Sequence, residues 1–100
     1  MLKTDKPKLT KNADKMICIL FKKYLERRKN GISKADAICF DDGWQNELFP
    51  KENSTDIDET AKELIETFKC RLNIIGDFFL SKDAIIYMEN RFPDGLCELL

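Results

Sequence analysis

The chain of 100 residues contains no histidine, three prolines, four glycines and a single tryptophan. The absence of histidine removes the side chain that most often serves as general base and as metal ligand. The four cysteines form no C-x-x-C pair, and a zinc site requires clustered thiolate or imidazole ligands. The sequence therefore predicts no metal, no other cofactor, and buried, reduced thiols in a cytoplasmic protein. The cysteines are Cys18, Cys39, Cys70 and Cys97.

Long apolar segments are also missing. The longest apolar run, residues 16–21, is far shorter than the roughly 20 residues that a membrane-spanning helix requires. The Lys-rich first residues are not followed directly by an apolar segment, so the pattern of a signal peptide is not met. No Gly-rich phosphate loop occurs, and no Ser or Cys has an evident base partner. We therefore expect no enzymatic activity, no membrane contact and no small-molecule ligand.

Charge is abundant but unevenly distributed. Residues 1–34 carry eleven Lys or Arg against three Asp or Glu, a net charge of +8. Residues 35–66 carry two against ten, a net charge of −8, and the remaining residues are close to neutral. This polarity predicts a surface that attracts an anionic partner on one side and repels it on the other.

The basic segment predicts a flexible arm over residues 1–11 followed by a long first helix. Thr10 or Asn12 can cap this helix, which ends near Asn30-Gly31 because both residues tolerate the left-handed conformation. Lysines repeat on its polar side, with Ile19 among them as a candidate exposed contact. A solvated surface is the commoner explanation of such a repeat. The candidate nucleic-acid contacts are Lys11, Lys15, Lys22, Lys23, Arg27, Arg28, Lys29, and further along the chain Lys62 and Arg71.

The acidic middle predicts two short helical segments and one regular helix. Ser33 with Asp36 resembles a capping box and opens a helix over residues 34–40. Apolar residues at 44, 48 and 49 indicate a further helical turn before a polar loop at 50–56. The regular helix covers about Ile57 to Phe68, with one apolar face and a polar face that carries four acids and one base.

The stretch NIIGDFFLSKDAIIYMEN, residues 73–90, predicts a hairpin followed by a helix. Residues 70–75 alternate in polarity as a strand does, Gly76-Asp77 supplies a tight turn, and residues 78–80 form the return strand. Ser81 caps a helix that runs to about Phe92. Residues 93–100 then predict the start of a C-terminal helix whose apolar side chains offer a protein interface. They are Leu96, Leu99 and Leu100.

The predicted order α-α-α-β-β-α over residues 12–92 resembles the winged helix-turn-helix superfamily. The resemblance is carried by LIETF (64–68), RLNIIGDFFLS (71–81) and KDAIIYMEN (82–90), where small bacterial and phage members have a similar ending. In that superfamily the third helix usually enters the DNA major groove and the hairpin, or wing, touches the DNA backbone. The resemblance implies a mostly helical domain with a small β-hairpin, and a role in transcription regulation.

Two functions follow from these patterns. The first is a DNA-associated regulator that contacts phosphates through its basic arm and first helix. The second is a protein-interaction module or homodimer that uses its acidic third helix or its apolar C-terminal residues, without DNA. The superfamily favours the first, and the acidic third helix favours the second.

Overall fold

The computed structural model describes residues 8–93. The first helix, α1, spans Lys11–Lys29, and the Thr10 side chain accepts a hydrogen bond from the backbone N–H of Ala13 at its start. This confirms Thr10, rather than Asn12, as the cap. The helix buries one apolar face and ends at Asn30, whose N–H donates to the carbonyls of the last turn.

A short helix, a strand and another short helix follow. Helix α2 spans Lys34–Ala37 and is capped by Ser33, as the sequence predicts. The predicted continuation of this helix to residue 40 is wrong, because Cys39–Phe40 forms strand β1. Helix α3 spans Trp44–Leu48.

Helix α4 spans Ser54–Phe68 and begins three residues earlier than predicted. Its cap is Asn53, whose side-chain oxygen accepts from the backbone N–H of Asp56 at 2.8 Å. The helix ends at Lys69, which adopts the left-handed conformation with φ 62°. This sharp end turns the chain into the hairpin.

The hairpin consists of β2, Arg71–Leu72, and β3, Phe78–Phe79. Strand β3 lies in the middle of a three-stranded antiparallel sheet of order β1-β3-β2. Its two sides pair Phe79 with Cys39 and with Arg71. Helix α5, Lys82–Arg91, follows behind the predicted Ser81 cap.

A single core joins the sheet to the helices. The apolar faces of α1, α4 and α5 meet around Leu20, Leu64 and Met88, each completely buried. On the side of the sheet, the Trp44 and Phe78 rings pack with centroids 5.2 Å apart. Such burial is the largest favourable contribution to the folding of a small domain.

The observed architecture is helical with a small antiparallel sheet, an α+β fold. Its element order, α-α-β-α-α-β-β-α, differs from the predicted α-α-α-β-β-α by strand β1 and the short helix α3, which lie between α2 and α4. Within residues 8–93 no helix combines the length and the apolarity that crossing a membrane demands.

Candidate functional site

Four lysines on the predicted basic side of α1 are exposed, and this row is interrupted between Lys15 and Lys22 by the buried Cys18 and the half-buried Ile19. Lys11, Lys15, Lys22 and Lys29 are all exposed. At 1.5 Å per residue, the row from Lys11 to Lys29 is about 27 Å long. Lys15 Nζ lies 3.8 Å from a Glu52 carboxylate oxygen, the one ion pair of this row among the described residues. We call these four residues the lysine row.

Arg27 does not belong to this row. Its Nη1 donates to the backbone oxygens of Cys39, at 2.6 Å, and of Ala37, at 3.2 Å. Its guanidinium carbon lies 4.6 Å from the centroid of the Phe40 ring. Arg27 therefore joins α1 to the segment of α2 and β1, and its donors are directed at protein carbonyls.

Three other predicted contact residues of α1 lie in different surroundings. Arg28 is exposed and donates to the carbonyl of Ile32 at 3.0 Å. Lys23 is half-buried. Ile19 is also half-buried and packs against the core, so little of it remains for a partner.

The outer face of α4 is acidic. Asp58, Glu59, Glu66 and the single base Lys62 are all exposed. Glu63 differs because its carboxylate accepts two hydrogen bonds from Thr10, from the backbone N–H at 2.9 Å and from the hydroxyl at 2.7 Å. This acid therefore fixes the start of α1 on α4, while the others face the solvent.

The loop of the hairpin exposes large apolar side chains. Ile74 and Ile75 have relative exposures of 104% and 73%, and the neighbouring Leu72 is 47% exposed. We call these three residues the apolar wing tip, where wing is only a name for the β2–β3 hairpin. Such clusters of exposed apolar residues mark contact surfaces. Arg71 lies beside them, with its guanidinium carbon 5.2 Å from the Phe79 ring centroid.

Hydrogen bonds to Asn73 form the turn that places these isoleucines at the tip. Its side-chain oxygen accepts from the backbone N–H groups of Gly76, at 2.9 Å, and Asp77, at 2.8 Å. The Gly76 N–H also bonds the Asn73 carbonyl, so residues 73–76 form the turn. The predicted turn at Gly76-Asp77 is thus displaced, and Ile74 and Ile75 belong to the loop and not to a strand.

The apolar wing tip was not predicted, because the alternating polarity of residues 70–75 indicated a longer strand. One pattern could have indicated it. Asn followed three residues later by Gly, with two residues between them, is typical of a turn that the Asn side chain supports. The predicted interface residues Leu96, Leu99 and Leu100 lie outside the described residues.

Two carboxylates surround the half-buried thiol of Cys39. The Cys39 sulfur and carboxylate oxygens of Asp41 and Asp77 lie within 4.8 Å of one another. The Cys39 Sγ donates to Asp41 Oδ1 at 3.7 Å. Burial raises the pKa of the Cys39 thiol, and the nearby Asp41 charge raises it further. This arrangement favours the protonated thiol and disfavours the thiolate that nucleophilic attack or metal binding requires.

The other described cysteines are free and buried. Cys70 lies under the start of α5, with its sulfur 3.7 Å from the Ser81 hydroxyl. Burial raises the pKa of both Cys18 and Cys70. The prediction of buried thiols is confirmed for these two, and Cys39 is only half-buried.

The described residues therefore present three distinct surfaces: the lysine row on α1, the acidic face of α4 and the apolar wing tip with its adjacent cations. Comparison with known proteins does not assign any of them, since no family model, curated protein or solved structure matches the chain.

Proposed function

We propose that the chain is a winged helix whose hairpin has become a protein-binding surface, without enzymatic activity. The sheet order β1-β3-β2 supports the winged-helix interpretation, with α4 before the hairpin and α5 behind it. By resemblance to that superfamily, α4 corresponds to the groove helix and the β2–β3 hairpin to the wing.

The exposed apolar wing tip carries the proposal of protein binding. Ile74 and Ile75 occupy the place at which a DNA-binding wing needs cations for phosphates. Exposed isoleucines gain free energy when another protein covers them, at roughly 25 cal/mol per Å² of apolar area. Contact with a hydrated phosphate backbone brings no such gain.

The charge of α4 supports the same function. Its polar surface bears Asp58, Glu59 and Glu66 against Lys62. Affinity for DNA depends on Lys and Arg that neutralise phosphates, so this surface would repel the major groove. Binding to a protein does not require this acidic surface to approach phosphates.

Photocrosslinking tests the proposal. A photoreactive phenylalanine analogue replaces Ile75 in one protein and the exposed Glu89 of α5 in a control. Irradiation in extracts of the cells that make the protein should give discrete protein adducts at position 75 and none at position 89. Excess unlabelled chain should suppress the adducts, whereas excess Ile74→Asp should not. Equal labelling at both positions, or none at 75, would contradict the proposal.

A second candidate function is DNA binding through the lysine row. Its support is the spacing of Lys22 and Lys29, both exposed and without an ion pair among residues 8–93. A row about 27 Å long could follow a phosphate backbone. This surface lies on α1 and is independent of the apolar wing tip.

Titration of a labelled mixed-sequence duplex at low and near-physiological salt decides this second candidate. DNA binding through the lysine row predicts affinity that falls steeply with salt and is lost in a Lys22→Glu, Lys29→Glu double variant. Arg27 is left unchanged in this variant because it bonds protein carbonyls. Absence of binding at low salt would exclude the row as a DNA contact.

A further inference from the structure

The three-stranded sheet has two edges, and they differ in the hydrogen bonding of their outward backbone groups. At the β1 edge, the Cys39 carbonyl points away from β3, because the Leu80 N–H, directly after β3, donates to the carbonyl of the preceding residue, Ile38. This carbonyl of Cys39 accepts a hydrogen bond from Arg27 at 2.6 Å, and Arg27 also donates to the carbonyl of Ala37, the last residue of α2, at 3.2 Å. The outward carbonyl of this edge is therefore already bonded to a side chain of the same molecule.

The β2 edge is open. Asn73 donates its N–H to the Asp77 carbonyl, and Arg71 pairs with Phe79. Hydrogen-bonded and non-hydrogen-bonded pairs alternate in an antiparallel ladder, so the N–H and C=O of Leu72 point away from β3. None of the side-chain hydrogen bonds among residues 8–93 reaches either group.

The side chains along the open edge are apolar and cationic. Lys69 and Arg71 precede the apolar wing tip, and both are exposed. The nearest acid of the hairpin, Asp77, is half-buried and its carboxylate accepts from the Asp42 N–H at 2.8 Å and from the Asn73 side chain at 3.2 Å. The edge thus combines unpaired backbone groups, exposed apolar area and positive charge.

We infer that the β2 edge accepts an extended segment of another protein in which apolar residues alternate with acidic ones. The added strand would pair with the N–H and C=O of Leu72, cover the apolar wing tip and direct its carboxylates at Lys69 and Arg71. This inference rests on the proposed protein-binding function and names the class of partner segment.

Charge complementarity selects this partner over a second copy. If two copies paired through Leu72, the Arg71 of one copy would lie diagonally across from the Arg71 of the other, about 7–8 Å away. Two like charges at that distance oppose the pairing. An acidic strand replaces this repulsion with attraction.

The test uses synthetic peptides and amide NMR of the whole chain. The first peptide has ten residues in which valine alternates with glutamate, and the second has lysine in place of glutamate. The first should shift the amides of residues 69–75 saturably, with a dissociation constant of about 1 mM or lower. It should also slow hydrogen exchange at the Leu72 N–H. The lysine peptide should bind about tenfold more weakly or not at all.

Leu72→Pro tests the backbone contact directly. Proline removes the outward N–H but no donor of the β2–β3 ladder, and edge strands tolerate proline at such a position. Peptide binding should be lost in Leu72→Pro and kept in Leu72→Val, with both variants showing the dispersed amide spectrum of the folded chain. Arg71→Glu should reverse the preference between the two peptides.

Several results would overturn the inference: no shifts with the glutamate peptide, equal shifts with both peptides, or undiminished binding in Leu72→Pro. Shifts of residues 69–75 that grow with protein concentration alone would assign the edge to a second copy. If protein adducts form at position 75 while the peptide fails, the protein-binding function stands and the strand-addition mode is wrong. If both fail, the protein-binding function is wrong as well.

Discussion

Arg27 makes contacts that differ from the role its place in the sequence suggested. Its place in a basic helix suggested a phosphate contact, yet its Nη1 bonds the carbonyls of Ala37 and Cys39 and its guanidinium stacks on Phe40. The sequence could not predict this, because the acceptors lie ten and twelve residues away and are backbone atoms. Helical periodicity identifies the face of a residue but not the bond it makes.

Arg27→Met should lower the free energy of unfolding by about 1.5–3 kcal/mol, because two partly buried carbonyls lose a charged donor. Arg28→Met is the matched control. Arg28 is exposed and bonds a single carbonyl, so its loss should change the stability by less than about 0.5 kcal/mol. Urea denaturation of the two variants measures both values. Equal effects would refute a structural role specific to Arg27.

Cys39 should react slowly with thiol reagents although it is only half-buried. Burial and the Asp41 charge raise its pKa, so the thiolate fraction at neutral pH is lower than that of a free cysteine. Asp41→Asn removes the charge and should accelerate alkylation. Peptide mapping after timed treatment with iodoacetamide gives the rates, with Cys70 as the buried reference. A rate like that of a free thiol in the unchanged protein would contradict the assignment.

At the scale of the elements, the sequence predicted the features that depend on local interactions. Helix caps at Thr10, Ser33 and Ser81 are contacts between residues three apart; Ser33 and Ser81 were predicted, and Thr10 was one of two candidates. Strand β1 was missed because two apolar residues have no detectable period. They become a strand only through pairing with β3, about forty residues later.

The hairpin loop depends on Gly76, whose φ is +111°. A side chain there is strained by the backbone conformation, and its Cβ would also collide with the Asp42 carboxylate. Gly76→Ala should therefore destabilise the chain by at least about 1 kcal/mol. Thermal unfolding measures the loss.

Two variants separate the sources of that loss. Gly31 also has a positive φ, but a Cβ added there would meet no neighbouring atom. Gly31→Ala therefore reports the backbone strain alone. Combining Gly76→Ala with Asp42→Ala should recover the part that comes from the collision. No difference between the Gly31 and Gly76 variants would show that Asp42 gives way without cost.

At the scale of the whole molecule, two contacts hold the ends of the described chain on the core. Thr10 bonds Glu63 of α4, and Arg91 of α5 forms a two-point ion pair with Asp14 of α1, one arm of which measures 3.0 Å. These contacts cross large sequence separations. The sequence showed the charges but could not pair them: Glu63 was predicted only as one acid of the polar face of the regular helix, and Asp14 was given no role.

The ion pair gives the protein a specific response to acid. The hydrogen bond from Arg91 lowers the pKa of Asp14 below its ordinary value of 3.8. The folded state thus binds this proton less readily than the unfolded state does. The stabilisation is complete above the unfolded pKa and is lost as the pH falls through the lower folded pKa.

Asp14→Asn should therefore be less stable than the unchanged protein by at most about 1 kcal/mol near neutral pH, since the pair is partly exposed to solvent. This difference should stay constant down to about pH 5 and shrink below the unfolded pKa. Urea denaturation at several pH values measures it, with Arg91→Met expected to behave alike. A difference that does not shrink in acid would show that the ion pair is not its source.

The unequal edges of the sheet limit how many chains can join. Polymerisation by strand addition needs two complementary edges on each molecule, one to accept and one to offer. Here Arg27 occupies the outward carbonyl of β1, so a copy that pairs through β2 offers a poor second edge to the next copy. The β1 edge therefore disfavours head-to-tail growth of copies through this sheet, even though the hairpin exposes two isoleucines.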